Sequence, residues 1–289
     1  MQAVVVTGVS TGIGLAVAKR MLAQGVDVYG SVRKQADADR LCRELGDGFH
    51  PLIFDIVDEA AVRAGAADVE RALNGRKLTG LVNNAGMAVS GPLIHQPIAE
   101  VRTQMEINVV GQVIVTQAFA PLLGADTARS GPPGRIVMIG SESGKIGSPF
   151  VAAYCASKHA IEGLAESLRR ELMIFGIDVA IVGPGFVATP IWDKAEEIDL
   201  GPYANTVYAA AIGETRDYML EHGRKGHAPD HIAKAVEHAL FADRPKVRYA
   251  VVQGWFQNWF LPLTLPKRWV DRIIAKQLGL VPSTPEKVK

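Results

Sequence analysis

The feature that most narrows the fold is a strand that runs straight into a glycine turn and then into a helix. Ala3-Val4-Val5-Val6 reads as a buried strand, and Thr7-Gly8-Val9-Ser10-Thr11-Gly12-Ile13-Gly14 follows with no spacer. Ile13, Val17 and Met21 then recur at helical spacing before Gly25. Strand, glycine turn and helix in that order make a phosphate cradle: glycine allows tight turning and close approach, and the helix start presents free N–H groups to an anion. The spacing is GxxxGxG, not the commoner GxGxxG, and tight turns of this kind also need glycine for steric reasons alone.

Further apolar runs follow at Val26–Val32, Phe49–Phe54, Gly80–Asn83, Arg135–Gly140, Gly176–Val182 and Val247–Val252, separated by helical stretches. This alternation predicts a doubly wound α/β fold of Rossmann type. The expected sheet is seven-stranded and mostly parallel, in the order 3-2-1-4-5-6-7, with helices on both faces. We expect a single dinucleotide-binding and catalytic domain over 1–289, with a substrate-loop region at 190–227 and a C-terminal extension at 254–289 inside it.

In such a sheet ligands lie beyond the carboxyl ends of the strands, so the strand ends are the candidate site. The second ends in Ser31-Val32-Arg33-Lys34, and no carboxylate appears until Asp37. An acidic residue there would suit the ribose hydroxyls of NAD(H), whereas arginine suits a 2′-phosphate. The expected cofactor is therefore NADP(H), with Arg33 as phosphate partner, Ser31 as a second donor, and NAD(H) as the alternative; a plain basic loop is the bland reading. Asp55 and Ile56 close the third strand, where a carboxylate could accept from the adenine amino group or could cap the next helix. The fourth stops on Asn83-Asn84-Ala85-Gly86, at the crevice floor. Asn108 lies inside a helical run, where asparagine is a poor interior residue and must satisfy both donors and acceptors if buried.

The fifth strand stops at Ser141-Glu142-Ser143-Gly144, and Ser141 precedes Tyr154 by thirteen residues. Tyr154, Lys158, Ile161, Ala165, Leu168 and Leu172 form one helical stripe. A lysine on a core-facing stripe needs a partner, and a phenol one turn away is its neighbour. A charged ammonium there would lower the tyrosine pKa and make Tyr154 a proton donor or acceptor near neutral pH. The alternative is a half-buried tyrosine with a lysine snorkelling past it.

Taken together, TGVSTGIG (7–14), NNAG (83–86), INVVG (107–111), the Ser141 to Tyr154 interval, YCASK (154–158) and PGFVAT (184–189) resemble the successive motifs of the short-chain dehydrogenase/reductase family. The stretch from Ile139 to Leu172 is similar in particular to the branch of 17β-hydroxysteroid and retinol dehydrogenases. The resemblance implies that Ser141 bonds the substrate oxygen and Tyr154 transfers the proton. Lys158 would lower the tyrosine pKa and hold the nicotinamide ribose, and Asn108 would hold a relay water. It places Gly8, Ser10, Thr11, Gly12, Ile13, Gly14, Asn84, Ala85, Gly86, Pro184, Gly185, Val187 and Thr189 at the cofactor, Val187 through its backbone at the carboxamide. Ser143, Phe150, Phe186 and Trp192 are expected beside Ser141 at the substrate. The implied reaction interconverts a carbonyl and an alcohol on an apolar molecule such as a steroid, retinoid or long-chain ketone. A homodimer or homotetramer joined through the helices of Asn108 and Tyr154 is also implied.

Composition trims the alternatives. A net charge of +1 gives no reason to expect a nucleic-acid partner, and Cys42 and Cys155 offer no disulfide framework. No histidine or cysteine spacing suggests a metal. The opening strand leaves no room for a signal peptide, so a cytoplasmic location is expected. After the last strand, Trp255, Phe256, Trp259, Phe260 and Leu261 lead to a basic amphipathic stretch with Trp269 and Ile273 among Lys267, Arg268, Arg272 and Lys276. Such a stretch suits a lid, a packing helix, a subunit contact or a membrane surface. Residues 281–289 are expected to be a loose tail. A non-catalytic nucleotide-sensing regulator is the competing functional class.

Overall fold

Parallel strands must be joined by crossovers, and this chain supplies helical segments for them. The computed structural model describes residues 2–281. Its seven strands are β1 (Ala3–Val6), β2 (Asp27–Val32), β3 (Phe49–Ile53), β4 (Gly80–Asn83), β5 (Arg135–Ile139), β6 (Asp178–Pro184) and β7 (Arg248–Val251). They pair in parallel in the order β3-β2-β1-β4-β5-β6-β7. The chain leaves β1 in both directions, so the cleft between the carboxyl ends of β1 and β4 is the switch point where such folds bind ligands.

Side chains alternate across a strand, and the core divides accordingly. Ala3 and Val5 of β1 join the layer covered by α3 (Glu59–Leu73), α5 (Gly111–Ala120) and α6 (Ala152–Glu171), with Phe119, Leu81 and Ile161. Val4 and Val6 face the opposite layer, packed by α1 (Gly12–Ala23), α2 (Gln35–Leu45) and α9 (Pro229–Phe241) through Val17, Met21, Leu41 and Ile232. The expected boundaries hold to within two residues.

Helix α4 (Ile98–Met105) continues through a π turn at Glu106–Val110 into α5. The helical stretch Ile98–Ala125 reaches a mean hydropathy of 1.5 over its most apolar window, long and apolar enough to cross a membrane, yet half of that window is buried within the protein. The 190–227 region folds into α7 (Ile191–Glu196) and α8 (Ala209–Arg224), over a small third cluster of Phe150, Tyr203, Ala211 and Ile212. Beyond β7, α10 (Leu261–Thr264) and α11 (Lys267–Gln277) carry no buried residue; Trp255, Phe256, Phe260, Trp269 and Ile273 are all exposed. Of the expected loose tail, only Val281 lies inside the described residues.

Candidate active site

The glycine turn is shaped by contacts that only glycine permits. Gly8 and Gly12 take φ of +69° and +62°, a region costly for side chains with a Cβ. A Cβ on Gly14 would stand 2.3 Å from the Gly8 carbonyl oxygen. Thr11 is the N-cap of α1 but makes no side-chain cap, and the first turn holds no acidic residue. The orphan N–H groups at the start of α1 therefore keep their capacity for an anion. Thr189 from the β6 loop reaches the same turn, its methyl 3.3 Å from where a Gly12 Cβ would be. These residues fit a dinucleotide pyrophosphate.

The floor is tied together across the switch point. Thr7 Oγ1 accepts the Asn84 and Ala85 N–H groups at 2.9 and 3.0 Å, and Asn84 Nδ2 donates to the carbonyls of Thr7 and Gly8 at 2.8 and 3.1 Å. Gly86 packs on Asn108, whose Oδ1 would lie 3.1 Å from an added Cβ.

At the adenosine end the structure departs from expectation at Ser31 and narrows the reading at Ile56 and Asp55. Ser31 is buried, and its hydroxyl accepts the Gly8 N–H at 3.0 Å, so it braces the glycine turn instead of facing solvent as a phosphate donor. Ile56 contributes no side chain to the crevice; it is buried against Gly111, where an added Cβ would come within 2.8 Å of it. Asp55 is not the helix cap: Asp58 caps α3 by accepting the Ala61 N–H, while Asp55 accepts that of Val57. Arg33 does stand at the open rim, 68% exposed, with its guanidinium 3.9 Å from Asp55. Arg40 adds a cation that the sequence reading did not single out: it donates to the Ser10 carbonyl at 2.8 Å and pairs with Asp37 at 3.1 Å.

At the end of β5, the Ser141 hydroxyl accepts the Ser143 N–H at 3.1 Å and stands near the Tyr154 phenol, close enough to favour its ionised form. Lys158, one turn along α6, is buried; its Nζ donates to the Ile139 carbonyl at 2.8 Å and lies 5.8 Å from the Tyr154 ring centroid. The expected depression of the tyrosine pKa is not what this arrangement gives. Burial pushes Tyr154 up to about 12, with the neighbouring Ser141 hydroxyl pulling the other way. Burial likewise lowers Lys158 to about 8. Desolvation is the largest cause at both groups, at the buried Lys158 and at the part-exposed Tyr154, and it disfavours the charged form of each.

Asn108 sits in the π turn, fully buried. Its Oδ1 accepts the Met87 N–H at 2.9 Å, and its amide donates to the Met87 carbonyl at 2.9 Å and to Ser157 Oγ at 3.0 Å. Both side-chain amide hydrogens are thus spent on protein. Ser157 in turn donates to the Tyr154 carbonyl at 2.7 Å, linking Asn108 to the helix start that carries the phenol.

On the substrate side, Phe186 packs against Trp192 at 5.6 Å and Tyr218 at 6.3 Å between ring centroids. The Trp192 indole donates to the Val187 carbonyl at 2.7 Å, which ties this aromatic group to the β6 loop. Phe150 and Trp192 line an apolar cavity with Ile198, Leu200 and Leu220. Ser143 does not line that cavity, and its N–H serves Ser141. Glu142, between the two serines, lies against Gly185, its Oε2 3.0 Å from where a Cβ would be.

The comparisons with known proteins fall on this same frame. The family model described as short chain dehydrogenase matches residues 2–199. The chain belongs to the short-chain dehydrogenase family. An NADPH-dependent 3-dehydrocapnine reductase from Ornithobacterium rhinotracheale is 37% identical over 278 residues, covering 96% of this chain and 98% of that protein. Retinol dehydrogenase 16 from Mus musculus is 30% identical, over 94% of this chain and 87% of its own. A short-chain dehydrogenase structure from Streptomyces avermitilis superposes with a TM-score of 0.75 at 25% identity, covering 98% of each chain. The protein is therefore an oxidoreductase of that family, as its ordered motifs imply.

Within this family frame, three residues carry weight that the sequence reading did not give them: Thr7, Arg40 and Ser157. Thr7 and Ser157 stood inside quoted motifs and had a legible signal, a hydroxyl beside each functional residue. Arg40 had none, because its importance depends on what the fold brings near it.

Proposed function

We propose that this chain catalyses NADPH-linked reduction of a carbonyl on an apolar substrate, and the reverse oxidation. One observation carries the reading: the neighbouring Ser141 and Tyr154 hydroxyls, with Lys158 one turn below, stand beyond the carboxyl end of β5 in the sheet that holds the glycine turn. The dinucleotide, when bound, supplies the hydride. Negative charge then grows on the carbonyl oxygen, and two preorganised hydroxyl donors stabilise it most in the transition state. A phenol held at about 12 is fully protonated at neutral pH and is ready to donate. Lys158 at about 8 is still largely an ammonium at pH 7 and stabilises the tyrosinate left behind. The aromatic wall of Phe186, Trp192 and Tyr218 supports a lipophilic substrate, a steroid, retinoid or long-chain ketone. Loss of NADPH absorbance over such a panel tests the reading. Tight NADPH binding without turnover anywhere in the panel would overturn it in favour of a regulator.

The preference for NADPH rests on Arg33 and Arg40 at the β2 end, and it agrees with the cofactor named for the capnine-related reductase. Arg33→Ala is expected to raise KM for NADPH about 10- to 100-fold, with KM for NADH changed less than about threefold. Steady-state kinetics with each cofactor checks this; equal effects on both would assign Arg33 to the surface.

We also propose that α4, α5 and α6 form a subunit contact. Val110 is exposed on a helix whose most apolar window is only half buried. Light scattering is expected to give a dimer or tetramer, and a monomer at micromolar concentration would remove the proposal.

A further inference from the structure

The first residue of the last strand reaches further than its place in the sheet requires. Arg248 opens β7, in register with Ile181 of β6. Its side chain crosses β6 at Gly183, where an added Cβ would stand 2.5 Å from Nη2 and 3.0 Å from Cζ. A glycine there leaves the path open. The guanidinium then serves two elements at once: Nε donates to both Glu162 oxygens, at 2.9 and 3.1 Å, and Nη2 donates to the Ser141 carbonyl at 3.1 Å. The pair is well shielded, with 15% of the Arg248 side chain and 7% of the Glu162 side chain exposed. Nη1 is buried with no hydrogen-bond partner among the described residues, and the guanidinium instead lies over the Trp259 ring, 4.2 Å from its centroid. Trp259 is half-buried, whereas the other four residues of the turn Phe256–Phe260 are exposed.

A fork with this reach couples α6 to the end of β5. Glu162 stands one turn beyond Lys158 on α6, and Lys158 Nζ holds the Ile139 carbonyl at 2.8 Å. The helix thus grips the carboxyl end of β5 at two carbonyls, directly through Lys158 and by way of Arg248 at Ser141. Holding that second carbonyl fixes the peptide plane that leaves Ser141, and with it the frame from which the serine side chain projects. Resting on the carbonyl-reductase reading, we propose that Arg248 is a positioning residue for that reaction: anchored by Glu162 and covered by Trp259, it holds Ser141 where its hydroxyl meets the substrate oxygen. A lysine would not replace it, since a single ammonium lacks the planar fork that spans a carboxylate and a carbonyl together. Loss of the fork does not strand Glu162, because Lys145 also pairs with it at 3.2 Å. Arg248→Lys therefore leaves no bare buried charge.

The test is a double-mutant cycle on kcat, with Ser141→Ala as the second background. Arg248→Lys is expected to lower kcat for ketone reduction about tenfold, with the Kd for NADPH within about threefold of wild type. In Ser141→Ala the same substitution is expected to lower kcat less than about twofold, because the group it positions is gone. A residue that merely holds the fold would cost the same factor in both backgrounds. Gly183→Ala approaches the question without deleting a charge: its methyl displaces Nη2 from the Ser141 carbonyl, so the same loss and the same dependence on Ser141 are expected. That variant decides the matter if Arg248→Lys does not fold. An unchanged kcat, or equal losses with and without the Ser141 hydroxyl, would overturn the proposal while leaving ketone reduction standing. Absence of turnover by wild type on any ketone, with NADPH still bound, would instead overturn the reductase reading beneath it.

Discussion

Tyr154→Phe is expected to lower kcat for ketone reduction by about 10²- to 10⁴-fold while leaving NADPH affinity within about threefold of wild type. The substitution removes one hydroxyl and keeps the ring, so α6 and the 5.8 Å approach of Lys158 to that ring have no steric reason to change. Ser141 remains as a donor to the developing oxyanion, which is why some catalysis persists. The direction of the Tyr154 pKa shift adds a second readout. A phenol raised to about 12 stays protonated through the neutral range, so the reductive rate should not fall between pH 6 and 8 through loss of this proton. The oxidative rate, which needs a proton acceptor, should rise with pH over the same interval. Stopped-flow single turnovers in both directions would check this. A variant retaining more than a tenth of the wild-type rate would show that the proton comes from elsewhere.

Gly14→Ala is expected to abolish measurable NADPH binding and to destabilise the protein by about 1–3 kcal/mol. A methyl there meets the Gly8 carbonyl oxygen at 2.3 Å and Asn84 Nδ2 at 2.6 Å, a backbone atom and a side-chain amide fixed by its hydrogen bonds to the Thr7 and Gly8 carbonyls, which together hold the turn against β4. Neither is the loose end of a flexible side chain, so relief requires the turn to open. Opening it separates Gly8 from Ser31 and moves the first N–H groups of α1 away from the anion. Gly163→Ala is the control, since a Cβ there meets nothing within 4 Å. Differential scanning fluorimetry with and without NADPH separates the two effects: Gly14→Ala should lower the apparent Tm and lose the ligand-induced rise. An unchanged rise would mean that the cofactor does not rest on this turn.

The division between what sequence and tertiary structure each decide follows from the range of the interactions. The periodic runs are local, so the strands, the glycine turn and the Tyr154–Lys158 stripe could be read from residue spacing alone, while the strand order followed from the doubly wound fold they imply. Ser141 and Tyr154 were legible because two strand and helix ends must meet once the sheet order is set. Ser31 illustrates the limit: its place at a strand end was correct, but the direction of its hydroxyl depends on Gly8, 23 residues away. Asn108 likewise needed partners 21 and 49 residues distant before its amide could be seen as fully occupied.

Electrostatics lay furthest from the sequence. The pairing of tyrosine and lysine one turn apart suggested a depressed phenol, yet whether a charge is felt depends on how much water remains around it. The folded packing takes water from around both groups, fully at Lys158 and in part at Tyr154, so Tyr154 moves up and Lys158 down. Arg248 is the same lesson for pairing. Its sequence neighbours gave no hint, because the partners of a charge are a property of everything around it, and the fold alone sends Arg248 to Glu162 and the Ser141 carbonyl. The sequence by itself determined which groups stand at the strand ends; only tertiary structure decided which of them are solvated, paired or left alone.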